Sequence, residues 1–128
     1  VGVLAVNHEP ASAATVRHSI ADDLASRDID PQCVDDVVLV AGELVGNAVV
    51  HADSRRGHDL DVSWDIQADA VVVRVLDDSP DLPRRRASTE RVGGGGGLAI
   101  VAAIALDWGV RRTDKGKLVW ARVPITPV

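Results

Sequence analysis

DLDVSWDIQADAVVVRVLD, residues Asp59 to Asp77, is the stretch that decides the fold. Leu60, Val62, Trp64 and Ile66 alternate with Asp59, Asp61, Ser63 and Asp65, the period-2 pattern of a strand with one face on a core and the other in water. The short link Gln67-Ala68-Asp69 leads into Val71 to Leu76, so the two runs predict an antiparallel hairpin whose second strand is buried on both faces. A hairpin with such an apolar face needs an apolar layer against it.

Upstream, the chain supplies that layer. Val16, Ile20 and Leu24 recur at helical spacing between Ala11 and Arg27 and predict a first helix. Asp30 followed by Pro31 joins a good N-cap to the residue best tolerated at the first helical position. Val34, Val37, Val38, Ala41, Leu44, Val45 and Ala48 then make one apolar face, predicting a second, longer helix to about His51. Residues 3 to 6 read as a short edge strand.

Downstream, Asp77 to Gly96 has no usable periodicity, and a loop of that length in a compact domain is functional or disordered. Leu98, Val101, Ala102 and Ala105 predict a third helix from about Gly97, and Trp108 to Arg112 with Leu118 to Val123 flank a turn at Thr113-Asp114-Lys115-Gly116. The expected architecture is an α+β two-layer sandwich, with three helices on one face of a mixed, mainly antiparallel sheet. With 128 residues and no repeat, the chain fits one domain, residues 1–128.

Composition removes several classes of function. A formal net charge of −5 repels a phosphate backbone, and the only dense basic cluster is Arg84-Arg85-Arg86, so no nucleic-acid partner is expected. No apolar run approaches the roughly 18 residues of a membrane span, and no signal-peptide pattern opens the chain. The lone Cys33 can form no internal disulfide, which agrees with a reducing compartment, and the expected location is cytoplasmic.

Three places could carry chemistry. Glu43 and Asn47 are four apart on the second helix, with Asp36 and His51 near the same line. That row reads either as a solvated helix edge or as oxygen ligands for an ion. Asp77 ends the buried strand and is either a turn former in Asp77-Asp78-Ser79-Pro80 or an acceptor for an exocyclic amine. Gly93 to Gly97 precede a helix, so their backbone N–H groups could cradle an anion, or the run could serve as a hinge.

Taken in order, Glu43-Leu44-Val45-Gly46-Asn47-Ala48, Val75-Leu76-Asp77-Asp78-Ser79-Pro80 and Gly95-Gly96-Gly97-Leu98-Ala99-Ile100-Val101 resemble the three nucleotide-binding boxes of the gyrase and histidine-kinase (GHKL) ATPases, which share the Bergerat ATP-binding fold. Asp107-Trp108-Gly109 and Gly116-Lys117-Leu118-Val119-Trp120-Ala121 look most like the small regulatory branch that includes anti-sigma-factor serine/threonine kinases. The resemblance implies ATP and Mg²⁺ as cofactors, Glu43 as general base, Asn47 as Mg²⁺ ligand and Asp77 as the adenine amino contact. Ser79, Gly95, Gly96, Gly97 and Leu98 would complete the nucleotide-binding set. It further implies transfer of the γ-phosphate to a Ser or Thr of an antagonist protein, binding of a sigma factor, and a homodimer.

The chain also departs from the family pattern. Ser79 and Asp81 replace the two glycines that usually follow the second-box Asp, Gly46 replaces a commoner polar residue, and Leu118 stands where many relatives carry a Thr that supports the adenine site. The alternative function is a regulatory module that holds nucleotide without phosphoryl transfer. A detached histidine-kinase catalytic domain is a third reading, but no dimerisation helix pair bearing a phosphoacceptor His is visible in the sequence.

Overall fold

The computed structural model describes residues 2–7, 9–51, 59–77 and 96–125. Along the chain run β1 (Gly2–Asn7), α1 (Ala11–Ala25), α2 (Pro31–His51), β2 (Asp59–Ile66), β3 (Ala70–Asp77), α3 (Gly96–Ile104), β4 (Asp107–Thr113) and β5 (Gly116–Pro124). The strands form one five-stranded sheet in the order β1-β2-β3-β5-β4. Every ladder among the described strands is antiparallel, so the parallel pairing that a mixed sheet would contain does not occur there.

Local chemistry accounts for the boundaries. Asp30 caps α2 through its side chain, its Oδ1 accepting from the Gln32 N–H at 3.2 Å, and its carbonyl accepts from Val34 N–H at 3.1 Å. Between α1 and α2 the backbone reverses at Asp28, whose φ of 58° is in the left-handed region that Asp tolerates better than most residues. The β4–β5 turn ends at Gly116, where φ is 137°, and Thr113 braces it by accepting from the Lys115 N–H and donating to the Gly116 carbonyl, each at 3.1 Å. At the other end, Gln67 N–H donates to Ala70 O at 2.7 Å and closes the β2–β3 hairpin.

The core lies between the helices and one face of the sheet. Val16, Ile20 and Leu24 of α1 and Val37, Ala41, Leu44 and Val45 of α2 are buried against Leu60 and Val62 of β2 and Val71, Val73 and Val75 of β3. Each fully buried branched side chain of this kind contributes roughly 1.5–3 kcal/mol over its exposed state. α2 is the central helix, packing against α1, α3, β3 and β5. Val40, outside the expected apolar set, is as buried as Val37, while Ala102 of α3 is exposed.

The other sheet face carries none of the described helices. Along it, Leu76 faces Leu118 and Arg74 faces Trp120 across the β3–β5 ladder. Val3 on edge strand β1 is 73% exposed there. Two layers, with helices on one side, therefore describe the arrangement of the described elements.

Candidate functional site

Strand β3 is the middle strand, and Asp77 is its last residue, between Leu60 of β2 and Lys117 of β5. Alternation along β3 turns Val71, Val73, Val75 and then Asp77 toward the helix layer. Asp77 is only 5% exposed. A carboxylate taken that far from water at a strand end needs donors around it, which is the requirement a polar ligand group can also meet.

Glu43 and Asn47 are one turn apart on α2, both half-buried, beside the buried Leu44, Val45 and Ala48. Asp36 is half-buried two turns before Glu43. Between the two candidate residues is Gly46, and a Cβ there would meet nothing within 4 Å. The helix surface over Gly46 is thus open, and packing does not demand a glycine.

Gly96 and Gly97 open α3, whose first-turn N–H groups have no intrahelical acceptor, and Leu98 is half-buried. α3 and β3 both pack on α2, so the elements that carry the described parts of the three segments have one helix as their common neighbour. Ser79, Gly95 and the Arg84–Arg86 run lie outside the described residues. So does the side chain of His51.

Leu118 is not beside Asp77. It pairs with Leu76, and its side chain shares the open face of the sheet; the position across from Asp77 on the helix-side face is Lys117, which is half-buried. Sequence reasoning passed over Lys117, although Val119, Ala121 and Val123, all buried, form the alternate set to which it belongs.

The donor chemistry fits Mg²⁺ with a triphosphate. Among the described residues no three His, Cys, Asp or Glu side chains gather into a metal cage. Mg²⁺ does not require one, since it keeps several waters and takes one or two protein oxygens beside phosphate oxygens. Asn47 carries an amide oxygen of the kind that would serve, and Glu43 carries a carboxylate one turn away on the same helix.

A separate groove of about 300 Å³ lies on the open sheet face, bordered by Arg74, Arg111, Arg122, Asp107, Leu118 and Trp120. Arg122 Nε donates to Asp107 Oδ1 at 2.8 Å, and this bond raises the Arg122 pKa further. The groove is on the opposite side of the sheet from Asp77.

Residues 6–123 match the family model described as the histidine kinase-like ATPase domain. None of the curated proteins matches the chain. Among solved structures, it is similar to the RsbU and RsbW domains of Rv1364c from Mycobacterium tuberculosis, with a TM-score of 0.69 and 18% sequence identity. That match covers 100% of this chain and 33% of the other, so the present chain spans about a third of the solved one, and at this identity the likeness is one of fold. With nearly its whole length inside the family model and its buried carboxylate, amide-bearing helix and glycine-led helix gathered on one side of an antiparallel sheet, the chain belongs to the histidine kinase-like ATPase domains.

Proposed function

We propose that residues 1–128 form one ATP-binding regulatory domain that acts as an anti-sigma-factor serine/threonine kinase, transferring the ATP γ-phosphate to a Ser or Thr of an antagonist protein. The observation that carries this reading is the burial of Asp77 at the end of the central strand, on the sheet face covered by the helix that bears Glu43 and Asn47. Membership of an ATPase family and a fold shared with a chain that includes an RsbW domain support it.

In this reading Asp77 accepts a hydrogen bond from the adenine amine, and Ser79 and Leu98 belong to the nucleotide-binding set. Gly95, Gly96 and Gly97 offer backbone N–H groups to the phosphates without a Cβ in the way. Asn47 holds Mg²⁺ through its amide oxygen, and the ion when bound neutralises charge on the phosphates. Glu43 accepts the proton of the attacking hydroxyl. The partners would be a sigma factor and its antagonist, the assembly a homodimer and the location cytoplasmic. Among the described residues no helix is long and apolar enough to cross a membrane.

The decisive experiment incubates the purified protein with γ-labelled ATP, Mg²⁺ and candidate antagonist proteins encoded near it. Label on a Ser or Thr of one antagonist is the expected result. ATP binding without transfer to any of them would leave a nucleotide-holding regulatory module in place of a kinase.

A further inference from the structure

Lys117 and Asp77 are direct cross-strand neighbours at the end of the central strand. Residues so paired carry Cβ atoms about 4.5–5.5 Å apart on the same sheet face. That face is the helix side for both: Val75, two residues before Asp77, is 1% exposed, and Val119, two residues after Lys117, is 7% exposed. Lys117 itself is half-buried, and among the described residues no ion pair holds its ammonium group.

The two side chains have opposite hydrogen-bonding characters. An ionised carboxylate only accepts, and an ammonium only donates. Side by side they present an acceptor next to a donor, which is the complement of adenine's Watson–Crick edge, where the 6-amino donor adjoins the N1 acceptor. We propose that Lys117 is a second base-reading residue of the nucleotide site, donating to adenine N1 while Asp77 accepts from the 6-amino group. This rests on the reading of Asp77 as the adenine contact. Leu118 cannot take the role, because its side chain is on the other face of the sheet.

The test is calorimetric titration with ATP and with 1-deaza-ATP, in which N1 is replaced by C–H. It uses the parent protein, Lys117→Met, Lys117→Arg and Asp77→Asn, each first shown to unfold cooperatively. The parent should prefer ATP to 1-deaza-ATP by about tenfold or more, the scale of a hydrogen bond to a charged donor. Lys117→Met should bring ATP down to the level of the analogue and leave the analogue's affinity unchanged. Lys117→Arg, which retains donors, should keep part of the preference. Equal binding of the two triphosphates by the parent, or a preference that survives in Lys117→Met, overturns the role of Lys117 and leaves Asp77 standing if Asp77→Asn weakens both ligands. A parent that binds neither triphosphate overturns the nucleotide-site reading and Lys117 together.

Discussion

Trp64 Nε1 on β2 donates a 2.8 Å hydrogen bond to Asp23 Oδ2 on α1, tying the first helix to the sheet across 41 positions of sequence. Trp64 is 4% exposed, so its indole N–H needs that acceptor. On its other side the ring rests over β1 at Gly2, where a Cβ would overlap the indole. Arg27 Nε adds a second bond to Asp23, reaching Oδ1 at 3.2 Å.

This clamp should respond to acid. The bond from Trp64, with smaller help from Arg27, holds the Asp23 carboxyl below its ordinary pKa. A depressed carboxylate contributes stability that is present above its unfolded pKa, about 3.9, and is lost as pH falls through the folded value. Trp64→Phe keeps the ring and removes the donor, and should cost about 1–2 kcal/mol at pH 7. Urea unfolding of parent and variant should show that difference shrinking below about pH 4; a gap of the same size at pH 2.5 would mean that the charged form of Asp23 is not what the indole stabilises.

Two glycines in α2 should behave differently. At Gly46 a Cβ meets nothing within 4 Å, so Gly46→Ala should stabilise the protein by about 0.5–1 kcal/mol through backbone entropy alone. At Gly42 a Cβ would come within 3.0 Å of Arg17 Cδ and an Arg17 guanidinium nitrogen, so part of the same gain is spent on moving that arm. Denaturant midpoints should rank Gly46→Ala above Gly42→Ala, and the reverse order would contradict the packing described around α2.

ATP affinity should depend on the Asp77 carboxylate. Asp77→Asn should weaken ATP binding by about 1.5–3 kcal/mol, the scale of a lost charge-assisted bond. Because Asp77 is buried, the titration has to be paired with a thermal melt. Unchanged affinity in a cooperatively folded variant would remove Asp77 from the site.

Binding and phosphoryl transfer should separate at one helix residue and not at the other. Asn47→Ala should weaken Mg²⁺-dependent nucleotide binding and abolish transfer together. Glu43→Gln should leave ATP affinity within a few-fold of the parent while lowering phosphorylation of the antagonist by roughly 10²-fold or more, the usual scale for a positioned base. Transfer at the parent rate in Glu43→Gln would show that Glu43 is not the base.

Several of these features are legible in the amino-acid sequence itself. The alternation from Leu60 to Ile66, the Asp30-Pro31 start of α2 and the buried triplet Val16, Ile20 and Leu24 are periodic signals between near neighbours, and each folds as its period predicts. Asp77 at a strand end and Glu43 with Asn47 on one helix stripe are readable for the same reason. Local sequence therefore determines which elements form, but not every face. β3, expected to be buried on both faces, has Arg74 and Leu76 only half-buried on the face that no described helix covers, and Ala102 of α3 is exposed.

The neighbours of each strand are a different matter. That β5 inserts between β3 and β4, making β3 the centre of the sheet, is decided by burying both edges of a Val-rich strand, a gain that appears only once distant segments meet. Register follows from that pairing, and since the side-chain period is two, a shift of one residue exchanges the faces. Hence Leu118, which by resemblance stands where many relatives carry a Thr that supports the adenine site, faces outward against Leu76, and Lys117 takes the place beside Asp77. The link between Trp64 and Asp23 is equally invisible to periodicity, because the helix and strand that bring donor to acceptor are aligned by the core between them.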